Sequence, residues 1–121
     1  MTLHSIDGAP ALVGEVVAIG ADVVELRSGS TDWWVPLAAV AAVEAAELRP
    51  GDPKDRSTVE LADLLTDEVD RDRPVAVRLH GGTVLQGVVA GVGASLVLRL
   101  EHPDRTAVVA LDRIVAVGRR G

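Results

Sequence analysis

At 121 residues the chain has room for one ordinary domain or two very small ones. Its 48% hydrophobic content excludes disorder by composition, and the lack of any cysteine excludes disulfides, thiolate metal sites and a cysteine nucleophile. The formal net charge of −6 is uneven, with ten acidic and four basic residues in 1–60 against eight of each in 61–121, so long-range attraction to phosphate is disfavoured.

Phe and Tyr are absent and Trp33 and Trp34 are the only aromatics, so Val, Leu, Ile and Ala must build the core. Abundant Val favours half-buried strands. No apolar run approaches the roughly 18 residues of a membrane span. Met1 to Asp7 lacks the basic start and apolar stretch of a signal peptide. A cytoplasmic location is expected.

In chain order, residues 1–44 read as a first small unit of short strands whose first strand is interrupted by Pro10. Near its end, period-two alternation with Val35 and Leu37 sends Trp33 inward and Trp34 outward. An outward Trp34 beside Pro36 is a candidate partner contact, because Trp is enriched at interface hot spots. The alternative is that Trp34 packs under the linker or the central helix.

Residues 45–56 form a linker by composition, with Pro50, Gly51 and Pro53. Ser57 to Glu60 has a capping-box pattern opening a helix, and Leu61, Leu64, Leu65 and Val69 then share one helical face. Asp63, Asp67, Glu68 and Asp70 fall away from that face, and the acidic run Asp67, Glu68, Asp70 and Asp72 reads as a solvated surface. Pro74 stops the helix.

Residues 57–121 form the second unit. Val75–Leu79 alternates as a half-buried strand should, and His80 to Thr83 is a turn. Val84–Val92 is a long strand, with Gly87 suited to a bulge or sharp bend. Ser95–Leu100, Thr106–Leu111 and Ile114–Val117 complete five strands, with Asp112-Arg113 as a tight turn.

The two units repeat one another. Residues 12–21 lie over 85–94 at a shift of 73, which also carries Gly8 onto Gly81 and Val24 onto Val97. After a loop one residue longer in the second copy, Val35-Pro36-Leu37 falls on Val109-Ala110-Leu111, and Val40 and Val43 fall on Ile114 and Val117. The copies share glycines and apolar positions but almost no polar residue, so the duplication preserves architecture.

A capped helix followed by five bent strands, with a short turn before the fifth, resembles the Sm-like and SH3-like small barrels. That resemblance implies a mainly β fold of two tandem five-stranded barrels with one connecting helix. Sm-like proteins contact RNA through a loop after strand two and a loop before strand five. Here those places hold Ala94-Ser95 and Asp112-Arg113, and in the first copy Ala21-Asp22 and Ala38-Ala39, without an aromatic or amide side chain. The runs Asp72-Arg73-Pro74-Val75, Gly82 to Gly87, Val92-Gly93-Ala94 and Val35 to Val40 also resemble short proteins of high-GC, actinobacterial genomes labelled as Fis-family transcriptional regulators.

No catalytic triad, P-loop or metal motif is present, and no cofactor is expected. His4, His80 and His102 are scattered, too few for a zinc site. Arg78, Arg99 and Arg113 lie on or beside strands of the second unit as a candidate basic patch, with Arg119 and Arg120 as a tail. The expected function is therefore a non-catalytic protein-interaction or self-assembly module. The alternative is a nucleic-acid-associated regulator using the arginine-bearing face. Nucleic-acid binding at low salt separates the two readings, and the relative placement of the two units shows which strand edges and which Trp stay open.

Overall fold

Segments in which Val, Ile and Leu alternate with polar or small residues become strands along the whole chain. The computed structural model describes residues 1–6, 8, 10–44, 58–100 and 105–120. The expected linker, Ser57 and the loop holding His102 lie outside the described residues. Among the described residues the fold is mainly β with one α-helix, as expected from the sequence.

The first unit runs β1 (Thr2–Ser5), β2 (Leu12–Val13), β3 (Glu15–Ile19), β4 (Val23–Ser28), β5 (Thr31–Pro36) and β6 (Val40–Glu44). Helix α1 spans Leu61–Asp67, and the second unit runs β7 (Pro74–Leu79), β8 (Val84–Val92), β9 (Ser95–Leu100), β10 (Arg105–Ala110) and β11 (Ile114–Arg120). In each unit one 3-10 turn, Leu37–Ala39 or Leu111–Arg113, links the last two strands.

The duplication extends into the irregularities of the backbone. In both units the first strand lies between the second and the fifth, and the third lies between the second and the fourth. The second strand is bulged between Val16 and Ala18 in one copy and between Val89 and Gly91 in the other. The fifth strand skips one residue against the first strand at equivalent places, Ala41 and Val115. Gly8 and Gly81 both have positive φ, 75° and 95°.

Gly14 and Gly87 sit where the second strand meets the backbone of the third. A Cβ on Gly87 would lie 2.5 Å from the Arg99 carbonyl oxygen, and one on Gly14 would collide with the Arg27 carbonyl oxygen. Both positions need glycine for this close approach. In the first unit the approach divides the strand into β2 and β3, which pair in different sheets.

Pairing produces a three-stranded sheet, β2-β1-β6, and an eight-stranded sheet, β10-β9-β8-β7-β11-β5-β4-β3. The larger sheet runs through both units because β5 of the first pairs antiparallel with β11 of the second. One buried cluster joins Leu61 and Leu65 of α1 to Val75, Val77, Val89, Leu96 and Leu98 of the second unit. The other gathers Leu3, Val24, Leu26 and Val35 of the first.

Helix α1 starts at Leu61, three residues later than the Ser57 pattern suggests. Glu60 is the N-cap residue, and its N–H donates to the Asp63 carboxylate at 2.9 Å. The Leu61 N–H donates to the Asp22 carboxylate of the first unit at 2.8 Å, so the helix start is tied to the β3–β4 turn.

Candidate functional site: the inter-unit seam and the open sheet edges

Strands β5 and β11 have a core on each face. Trp34 and Val117, directly opposed, belong to the second unit's cluster. Val35 and Ala116 belong to the first unit's cluster, and Trp33 packs against it. Alternation along β5 holds, but the face away from the first core is not solvent. The expectation of an outward Trp34 is therefore corrected: the residue is 3% exposed and sealed inside the molecule. The packing of Trp34 near the central helix is the alternative that stands, since α1 contacts β5. Pro36 remains half-buried, at the end of β5.

Trp33 lies over Gly118, its cross-strand partner. A Cβ there would come within 2.8 Å of the ring, so glycine lets the indole cover the strand. The Arg78 guanidinium lies over the Trp33 ring, 4.9 Å from its centre, and also reaches the Pro10 carbonyl at 3.4 Å. Arg78 thus bridges the units.

A charge network closes the opposite face of the seam. Glu68, just past the end of α1, is 1% exposed. Its carboxylate accepts from Arg119 at 2.9 Å and from Arg73 at 3.2 Å. Arg119 also donates to Asp32 at 3.1 Å and lies 5.4 Å from the Trp34 ring centre. Arg27 donates to the same Asp32 carboxylate at 3.0 Å. Burial acts to raise the Asp32 pKa, but the hydrogen bonds from Arg27 and Arg119 and their charges outweigh it and hold the carboxyl below its usual range. Burial likewise opposes the charge on Arg119, yet Glu68 and Asp32 raise its pKa.

Glu68 therefore departs from the expected solvated acidic run, whereas Asp67, Asp70 and Asp72 do follow it. It lies beyond the last turn of α1 and faces the seam. Arg119, read as tail, is a member of β11. Period two from Val117 places it on the Trp34 face, with Asp32 opposite in register. That parity was available in the sequence; the partnership with Glu68, 51 residues away, was not.

The three arginines of the candidate basic patch are not brought together. Arg78 pairs in register with Val84 and Arg99 with Val88, so they lie about 13 Å apart along β8. Arg99 is ion-paired with Asp72 at 3.0 Å, and Arg78 is held on Trp33. Arg113 sits in the 3-10 turn by His80, at the Arg78 end of the sheet. His4 approaches Glu44 at 3.4 Å, and no group of three metal-ligating side chains occurs among the described residues. No helix among the described residues is long and apolar enough to cross a membrane.

The sheet edges are the remaining reactive feature. Among the described residues, β10 pairs only with β9 and β6 only with β1. Each therefore offers a row of backbone donors and acceptors on its outer side. Val108, in the middle of β10, is 70% exposed. No protein-family model matches the chain, and no curated protein matches it.

Proposed function

We propose that the chain is a non-catalytic self-assembly module whose copies join head to tail by sheet-edge pairing, each repeat acting as a small barrel of the SH3/Sm kind. One observation carries this reading. The pairing that joins the two units links the fourth strand of one repeat to the fifth strand of the other, β5 to β11. The repeat equivalents of those strands are β10 and β6, and among the described residues each has one neighbour; the other single-neighbour strands, β2 and β3, are the two halves of one bent strand that together pair on both sides. What the molecule does once internally, it has the parts to do again between chains.

The same register extended to a second copy sets Val108 of β10 against Val43 of β6, as Trp34 is set against Val117 inside the chain. Such a contact uses different surfaces on the two partners, so it either closes as a ring or continues as a filament. Light scattering coupled to size exclusion tests it. The wild-type chain is expected to run as a multimer and Val108→Lys to run at the mass of one folded chain, because an edge lysine opposes strand addition. A wild-type chain that stays monomeric at high concentration would sink the proposal.

A further inference from the structure

A second feature is independent of the strand edges. A groove of about 470 Å³ opens where the turn Pro36–Ala39, the turn at Leu111 and Asp112, and the start of α1 converge. Its size falls within the range of roughly 300–1,000 Å³ usual for ligand sites. No residue of β10 or β6 lines it.

Main-chain bonds preform its walls. The Ala21 N–H donates to the Val59 carbonyl at 2.7 Å, and the Leu37 N–H donates to the Asp22 carbonyl at 2.8 Å. With the Leu61–Asp22 bond, these fix the helix start against the first unit. A ligand would meet a shape already made, at little ordering cost.

The lining has two chemistries. Leu37, 42% exposed, and Ile6, 52% exposed, face it together with Leu111, Ile114 and Val115. Asp22, Glu60 and Asp112 supply carboxylates beside His80, and no Lys or Arg is among the described lining residues. The carboxylates oppose a phosphate-bearing ligand. No Trp, Tyr or Phe is among the described lining residues, so the cage that quaternary ammonium ligands use is missing. An apolar floor with an acidic rim is complementary to a segment that carries apolar and basic side chains together.

We infer that this groove is a docking site for a short segment of a partner protein in which Leu-like residues flank Arg or Lys. The apolar side chains fill the space over Leu37 and Leu111, and the cation is received by Asp112 and Glu60. The proposal stands apart from the head-to-tail assembly and survives if the chain is monomeric.

The experiment uses the full ¹⁵N-labelled chain carrying Val108→Lys, titrated with a synthetic leucine–arginine heptapeptide and with the same peptide bearing glutamate for arginine. The arginine peptide is expected to shift the amide signals of Leu37, Ala38, Ala62 and Asp112, saturating at roughly 0.1 mM, in the range of weak peptide recognition. Asp112→Asn with Glu60→Gln is expected to weaken that binding by about tenfold, from two exposed charge pairs. Equal shifts with the glutamate peptide, shifts confined to other surfaces, or no shifts at about 1 mM would each overturn the inference.

Discussion

The seam between the units and the two outer edges are built from equivalent strands, yet their side chains differ at every position that matters. At the seam, β5 presents Asp32, Trp33 and Trp34. At the outer edge, the repeat places Thr106, Ala107 and Val108 on β10. Opposite, β11 offers Gly118 and Arg119, whereas β6 ends at Glu44. Backbone pairing is available in both places, but the two Trp rings, the glycine beneath Trp33 and the Glu68–Arg119–Asp32 network exist only at the seam. The same strand geometry thus supports one sealed junction and one open edge, and side-chain chemistry distinguishes the two.

The comparison is broken most severely by removing the largest seam side chain. Trp34→Ala is expected to cost about 3–5 kcal/mol in urea denaturation, the range for truncating a buried Trp. At the matching edge position, Val108→Ala in dilute solution is expected to stay within about 0.5 kcal/mol, as exposed substitutions do. Similar losses at both sites would mean the edge is covered and the distinction wrong.

Glu68→Ala is next. It leaves Arg119 and Arg73 facing a low-dielectric pocket without their shared carboxylate, at a cost of about 3 kcal/mol, the lower end for breaking a buried pair because Arg73 is partly exposed. Gly118→Val is expected to lose about 1–3 kcal/mol by driving a side chain into the Trp33 ring. Trp33 fluorescence should shift towards that of a solvated indole, and an unchanged spectrum would show that Trp33 does not depend on the glycine.

A smaller effect separates the seam by pH. Because Asp32 is held below its usual range, the folded state binds its proton only at lower pH than the unfolded chain does. Its stabilisation is complete above the ordinary Asp value of about 4 and disappears as pH falls through the lowered folded value. Thermal denaturation from neutral to acid pH should therefore show a loss at the acid end that is shallower in Asp32→Asn. Parallel curves for the two proteins would show that the Arg27 and Arg119 contacts leave Asp32 unperturbed.

Much of the architecture was legible before any coordinates. The alternation at Val75–Leu79 and the apolar run 114–117 mark strands, and the glycine at 87 marks a bend, from residue type alone; that Gly87 meets the Arg99 backbone and that 114–117 is covered on both faces was not legible there. The repeat at shifts of 73 and 74 located equivalent strands in both halves. The arginines were less legible, because a patch depends on which strands are neighbours. Register leaves Arg78 at the start of β8 and Arg99 at its middle.

Sequence by itself determined the β character, the duplicated layout and the lack of thiol chemistry, because propensity, turn residues and composition act locally. Only the tertiary structure decided that β5 meets β11, since that choice rests on groups far apart in the chain: Asp32, Glu68 and Arg119. It also decided the fate of Trp34. Period two states which side of a strand a residue takes, but what waits on that side is set by the next element packed there, here a second core in place of water.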